Sequence, residues 1–126
     1  MSNKKTLDKK EKKLNKKEQY EIILKLYQGL DSNLQKISQK VKVNKDDNSI
    51  TQLAFKSDNI TAALQSCLDF DNKEAVKISE NLRDIYRHIR LALKLIYENQ
   101  NFELLKSATD VTFTLKDSWA KIRSSI

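Results

Sequence analysis

The chain has 126 residues, of which 39% are apolar and 33% are charged, and it contains one glycine and no proline. This length suffices to bury a core within one domain. Because tight turns between strands prefer glycine, proline, asparagine and aspartate, the composition disfavours a sheet and favours an all-α fold. The sequence has no run of about 18 apolar residues, so we expect no stable membrane insertion.

The formal net charge of +7 is concentrated at the N-terminus. Residues 1–17 hold eight lysines against Asp8 and Glu11, whereas residues 18–126 carry a net charge of only +1. We therefore predict a flexible basic tail over 1–17 and a single helical domain over 18–126. The tail lacks the arginines and aromatic residues that nucleic-acid-binding segments use, so we expect no nucleic-acid partner.

Two leucines, Leu7 and Leu14, interrupt the lysines of the tail. Both are out of register with the apolar stripe that follows. The tail is therefore either a solvated arm or a segment that lays these leucines over a groove of the folded domain. No apolar stretch of a secretory signal follows the lysines, and a lone cysteine suits a reducing compartment, so we expect a cytoplasmic protein.

The first apolar segment predicts a long helix, because its apolar residues alternate at spacings of three and four. Asn15 and Glu18 can cap its start. Gly29 lies inside this helix, where glycine costs about 1 kcal/mol relative to alanine. We hypothesise that a neighbouring helix or the first loop passes close to the backbone there. The predicted stripe is Tyr20, Ile23, Tyr27, Leu30, Leu34, Ile37 and Val41.

A polar loop over residues 42–48 precedes the second predicted helix, which Ser49 and Gln52 can cap. Residues 56–59 are its weakest helical part, and a kink or break there stays open. Cys67 lies on the apolar face, so we expect it to be buried as a small apolar side chain. The predicted stripe is Ile50, Leu53, Ile60, Leu64 and Cys67, interrupted by Ser57.

The third and fourth segments complete the helical pattern. Asp71 and Glu74 can cap the third helix, and residues 99–101 form a short loop before the fourth. Short connections make neighbouring helices antiparallel, so we predict an antiparallel up-down-up-down four-helix bundle. The third stripe is Ala75, Ile78, Leu82, Ile85, Ile89, Ala92 and Ile96, and the fourth is Leu105, Ala108, Thr112, Leu115, Trp119 and Ile122.

Catalytic constellations are not found in the sequence. His88 is the only histidine, and it lies between Arg87 and Arg90. One cysteine and one histidine cannot form a metal site or an activated nucleophile, and one glycine cannot form a phosphate-binding loop. We therefore expect no enzyme activity, no catalytic residue, no metal and no cofactor.

Apolar residues also lie beside the stripes, on the flanks of three helices. They either widen the core to a third position per heptad or line a groove that receives an apolar strip from a partner. Those considered as partner-binding residues are Ile22, Leu26, Leu91, Leu95 and Phe113.

Three stretches share the order and spacing of one family's motifs. Residues 23–30 read Ile-Leu-Lys-Leu-Tyr-Gln-Gly-Leu and contain a Leu-Tyr-x-Gly element; residues 60–69 end in Leu-Asp; residues 78–122 close with Leu-Lys-Asp-Ser-Trp. Together they resemble the flagellin export chaperone family of bacterial flagellar type III secretion, over about residues 18–123. The tail departs from the family pattern, because it lacks the tyrosine and the Ser-Pro segment that usually precede the first helix.

The resemblance implies a cytoplasmic chaperone without chemistry or cofactor. Such a chaperone binds the disordered C-terminal segment of flagellin, prevents premature polymerisation and delivers the complex to an export-gate component of the secretion apparatus. Two alternatives stay open: a helical-bundle adaptor for a different secretion or assembly partner, and a basic-tailed protein that binds nucleic acid or a membrane surface. We expect the partner to contact Ile22, Leu26, Tyr27, Leu91, Leu95 and Phe113, and Leu7 and Leu14 are the residues of the tail that could cover the groove.

Deleting residues 1–17 tests whether the basic tail belongs to the fold. We expect the melting transition of the truncated chain to be largely unchanged, because the apolar stripe begins only at Tyr20. Thermal unfolding followed by circular dichroism measures this. A large loss of helicity would show that the tail is part of the folded domain.

Overall fold

The computed structural model describes residues 16–68 and 76–122, and within these ranges it contains four α-helices and no strand. Helix α1 spans Lys16–Val43, α2 spans Asn48–Ser66, α3 spans Val76–Asn99 and α4 spans Leu105–Ile122. Helix α2 packs most extensively against α3, α1 packs against both α2 and α4, and the α3–α4 pair shares the least contact of these four pairs. This arrangement confirms the predicted four-helix bundle.

The core is built from the apolar stripes that the heptad spacing predicts. Leu30, Leu34 and Ile37 of α1 are completely buried, as is Ile89 of α3. The core also extends to positions beside the stripes, as expected for helices that bury three positions per heptad. These additional buried apolar residues are Leu24, Ala54, Tyr86 and Leu93.

Helix α2 continues without a break through residues 56–59, where the sequence left a kink or break open. Ser57 is completely buried, and its hydroxyl donates a hydrogen bond of 2.7 Å to the carbonyl oxygen of Leu53. Thr61 donates in the same way to the carbonyl oxygen of Ser57 at 2.8 Å. These side chains satisfy their hydroxyls on the backbone of their own helix, so the core accommodates them and the helix is maintained.

Two sequence predictions for α2 are wrong at its ends. The N-cap is Asp47, not Ser49: its carboxylate accepts hydrogen bonds from the backbone N–H of Ser49 at 2.9 Å and from the Ser49 hydroxyl at 2.7 Å. Cys67 is exposed, not buried. The physical reason is that α2 ends at Ser66, so Cys67 is already the C-cap residue and lies beyond the buried stripe.

Other predictions fall on residues outside the described ranges. These are the tail leucines Leu7 and Leu14, the caps Asn15 and 71–74, and Ala75 of the third stripe.

Gly29 lies next to a side chain of α2 and not next to a neighbouring backbone, which corrects the hypothesis of a close backbone approach. Apart from its chain neighbours and the backbone of its own helix, a Cβ atom built on Gly29 would have one atom within 4 Å, the Cδ1 of Ile60 at 3.6 Å. That distance is an ordinary van der Waals contact with the end of a side chain. Steric crowding therefore does not explain the glycine.

Replacing Gly29 with alanine should stabilise the bundle by about 0.5–1 kcal/mol, because alanine loses less backbone freedom in a helix. Urea unfolding of Gly29→Ala and of wild type measures the difference. Gln28→Ala is the control, because it introduces alanine at the neighbouring, exposed position of the same helix without placing a new methyl group next to Ile60. Lower stability of Gly29→Ala would show that the Ile60 side chain cannot accept the additional methyl group.

Candidate partner-binding surfaces

One end of the bundle carries a small apolar cavity. At this end the start of α1 and the start of α3 meet the last turns of α2 and α4, as the up-down-up-down topology requires. The cavity has a volume of about 160 Å³, which is enough for one aromatic or branched aliphatic side chain. Its lining residues are Ile23, Tyr27, Leu64, Cys67, Leu68, Ser79, Leu82, Tyr86 and Trp119.

Two buried tyrosines form the floor of this end cavity. The hydroxyl of Tyr27 on α1 is hydrogen-bonded to the hydroxyl of Tyr86 on α3, and each residue is only 2% exposed. Burial raises the pKa of Tyr27, and burial together with the neighbouring Tyr27 raises the pKa of Tyr86, because a phenolate loses its hydration there. Both phenols therefore stay neutral, and the floor presents rings with their hydroxyls already paired.

Trp119 closes one side of the cavity and joins the end of α4 to the start of α1. Its ring stacks on Tyr20 with a centroid distance of 5.3 Å and an interplanar angle of 12°. The Tyr20 hydroxyl donates to the carbonyl oxygen of Trp119 at 2.7 Å, and the Trp119 indole N–H donates to the carbonyl oxygen of Tyr20 at 3.2 Å. This reciprocal pair fixes the position of the cavity wall.

A second surface, which we name the α2–α3 groove, runs along the outside of these two helices. It consists of two adjoining depressions of about 420 Å³ and 340 Å³ that share Tyr97. Phe55 is 54% exposed and Leu91 is 50% exposed. The edge of one ring in the Phe55–Tyr97 pair meets the face of the other at a centroid distance of 5.6 Å. The groove is lined by Thr51, Gln52, Phe55, Lys56, Asp58, Gln65, Arg87, Arg90, Leu91, Lys94 and Tyr97.

A polar network forms the floor of the α2–α3 groove. Asp58 is 8% exposed, and its carboxylate accepts hydrogen bonds from the Arg90 Nε at 2.7 Å and from the Tyr97 hydroxyl at 3.3 Å. Arg90 also donates from Nη1 to the Gln65 side-chain oxygen at 2.8 Å. Because the buried carboxylate is both paired and hydrogen-bonded, it can be retained under the groove.

A comparable ion pair joins α1 to α4. Lys116 donates to the Asp31 Oδ2 at 2.9 Å, and Asp31 is 8% exposed. The Lys116 ammonium also lies 5.0 Å from the centroid of the Phe113 ring, within the range of a cation–π contact. Phe113 is therefore held against the surface of α4 although half of it is exposed.

The partner-binding residues predicted from the sequence lie on three helices and do not form one patch. Ile22 is 45% exposed and lies one turn from the half-buried Leu26 on α1. Leu91 belongs to the α2–α3 groove, whereas Leu95, on the same helix, is half-buried and does not line it. Phe113 lies on α4, and Tyr27 is buried in the floor of the end cavity.

Sequence reasoning missed Phe55, which is more exposed than any of the predicted residues within the described ranges. Phe55 lies between Leu53 and Ile60 in the sequence but outside the apolar stripe that they define, and this position could have indicated an exposed aromatic side chain. The contact of Phe55 with Tyr97 depends on the packing of α2 against α3, so no spacing within one helix indicates it.

The described residues contain no group of three or more His, Cys, Asp or Glu side chains that could hold a metal ion. His88 bonds the Ser107 hydroxyl at 2.8 Å on the exposed surface between α3 and α4.

None of the helices within the described ranges is both long enough and apolar enough to cross a membrane.

The fold and these surfaces define a class of protein: an antiparallel four-helix bundle that offers an apolar cavity and exposed aromatic side chains to a protein partner. Residues 1–125 match the model of the family described as flagellar protein FliS, and the chain belongs to that family. The family is the flagellar export chaperone for flagellin, as the sequence resemblance predicted. No curated protein and no solved structure is significantly similar to the chain.

The buried tyrosine pair predicts a dependence of stability on alkaline pH. Tyrosines of the unfolded chain lose their protons near pH 10, whereas Tyr27 and Tyr86 in the folded chain keep theirs to higher pH. The free energy of unfolding should therefore fall as the pH rises above 10.

In Tyr86→Phe, the loss of stability between pH 9 and pH 11 should be smaller than in wild type by roughly 1 kcal/mol. Urea unfolding at the two pH values measures it, and comparing each protein with itself removes the cost of the substitution. An equal loss in both proteins would show that Tyr86 ionises normally in the folded state.

Proposed function

We propose that this chain binds the C-terminal segment of flagellin in the cytoplasm, using apolar side chains on several helices, and delivers it to a component of the export gate. The observation that carries the proposal is the distribution of exposed apolar side chains over all four helices. A segment that contacts all of them must extend around the bundle, and a segment that is disordered when free can do so.

On α1, Ile22 and Leu26 are one turn apart and project from the same side of the helix. Gly29 continues this stripe and faces Ile60 of α2. The stripe therefore borders the junction of α1 and α2, where an apolar side chain of the segment would contact both helices. The missing side chain at Gly29 leaves room for the segment to lie close to the helix.

The end cavity supplies an anchoring position for the same segment. Its floor is fixed by the Tyr27–Tyr86 hydrogen bond and its wall by the stacked Trp119. A cavity that is already formed costs little ordering on binding, which partly offsets the ordering of the segment itself. In this proposal Tyr27 takes part as a buried residue of the cavity floor, and one large apolar side chain of the segment enters the cavity.

The same surfaces are compatible with release at the export gate. The exposed apolar residues are separated from one another by polar residues, so each contributes a modest part of the binding free energy. Binding is then spread over many weak contacts, and the segment can be withdrawn progressively from one end. The chaperone thereby protects its cargo from polymerisation without holding it irreversibly.

Calorimetry with the C-terminal segment of the same organism's flagellin tests the proposal. We expect saturable binding with a dissociation constant in the micromolar range or below. Ile22→Glu should weaken binding at least tenfold, because a carboxylate would have to be desolvated against an apolar part of the segment.

The matched control is Gln28→Glu, which introduces the same charge at an exposed position of the same helix. It should leave the affinity within about twofold of wild type. Absence of detectable binding by the wild-type chain would refute the proposed function. Equal losses in the two variants would instead show that Ile22 is not a contact and that overall charge governs binding.

A further inference from the structure

We propose that the α2–α3 groove receives an acidic amphipathic stretch of the bound segment, in which apolar side chains alternate with aspartates and glutamates. The inference rests on the proposed function, since it specifies the chemistry of that part of the cargo that lies in this groove. It is carried by three observations: exposed apolar side chains, an excess of positive charge and a rigid floor.

The apolar side chains of the groove are exposed in spite of their size. Phe55 and Leu91 are each at least half exposed, and they lie on opposite sides of the groove, on α2 and α3. Tyr97 contacts Phe55 and lines both depressions. An apolar strip of a partner could therefore cover Phe55, Tyr97 and Leu91 together, which is the arrangement of a helix-in-groove contact.

The charged side chains of the groove are mostly cationic. Lys56, Arg87, Arg90 and Lys94 line it, against the single carboxylate of Asp58. Asp58 is committed to Arg90, at 2.7 Å. Asp84 lies 3.9 Å from Arg87, but both are largely exposed, and such surface pairs neutralise each other weakly. Four cationic side chains against one carboxylate give the groove lining a net formal charge of +3.

The positive charge of the groove is not a general property of the bundle. Residues 18–126 carry a net charge of only +1, so acidic residues elsewhere in this part of the chain offset the positive charge of the groove. A partner stretch bearing carboxylates beside its apolar residues would gain charge complementarity at Lys56 and Lys94 and apolar burial at Phe55 and Leu91. A basic stretch would encounter like charges, which suppress binding.

The floor of the groove is preorganised for such a partner. Arg90 is held by hydrogen bonds to Asp58 and Gln65, and Tyr97 is held by Asp58 on one side and by the Phe55 ring on the other. The side chains that form the base therefore need little rearrangement on binding. From Thr51 to Gln65 the groove extends along about 20 Å of α2 at 1.5 Å per residue, the length of about 14 helical residues.

Neutralising the carboxylates of the segment and reversing one charge of the groove test this inference. The probes are the flagellin C-terminal segment and the same segment with every aspartate and glutamate replaced by asparagine and glutamine. We expect the neutralised segment to bind the wild-type chaperone at least tenfold more weakly, with a smaller dependence of affinity on salt concentration.

The chaperone variant is Lys94→Glu, and its matched control is Lys36→Glu, an exposed position on α1 away from the groove. Lys94→Glu should weaken binding of the native segment about tenfold and have little effect on the neutralised one, whereas Lys36→Glu should change neither by more than about twofold. Phe55→Ala should weaken binding of both segments at least fivefold. Circular dichroism confirms that each variant is folded.

The outcomes separate this inference from the proposed function. Binding of the native segment by wild type, together with equal binding of the neutralised segment, would overturn the inference and leave the proposed function standing. Equal losses for Lys94→Glu and Lys36→Glu would overturn it as well, because the effect would then be one of net charge. Failure of the native segment to bind at all would overturn both.

Discussion

The packing of the α1 apolar stripe against α2 on one side and α4 on the other is the contact on which the rest of the structure depends. Leu30, Leu34 and Ile37 are completely buried in it. Helix α1 is the longest of the four, at 28 residues, and it has extensive neighbours on both sides, whereas α3 shares little contact with α4. The end cavity lies where Tyr27 of α1 meets Tyr86 of α3, and the α2–α3 groove is formed with α2, a helix that packs on α1.

Two ion pairs add specificity to this apolar packing. Asp58–Arg90 joins α2 to α3, and Asp31–Lys116 joins α1 to α4. A shift of either helix pair by one turn would leave a largely buried carboxylate without its partner. The free-energy cost of that unpaired charge exceeds the stabilisation that the ion pair contributes. The apolar stripes would tolerate several alignments of the helices, since similar residues recur at each turn. The two carboxylates thus favour one alignment of the helices, and the Asp58–Arg90 pair holds the α2–α3 groove in a single shape.

The heptad spacing was sufficient to predict the four helices, their order and most of the core. It was insufficient at the ends of α2. Asp47 caps this helix instead of Ser49, and Cys67 lies one residue past the end of the helix, where it is exposed. The candidate surfaces were harder to predict, because they are made by pairs of residues distant in the chain. Phe55 meets Tyr97 only after α2 and α3 have packed, and no spacing within either helix indicates that contact.

The stacking of Trp119 on Tyr20 gives the protein an optical probe of its own end cavity. The chain contains a single tryptophan, and this residue lines the cavity while its indole N–H is bonded to a backbone carbonyl. Its emission therefore comes from one defined environment instead of an average over several. A side chain that enters the cavity would displace water from the exposed edge of the indole, and the emission maximum would move to shorter wavelength. Occupation of this end of the bundle can thus be followed in the unlabelled protein, in real time and separately from events in the α2–α3 groove.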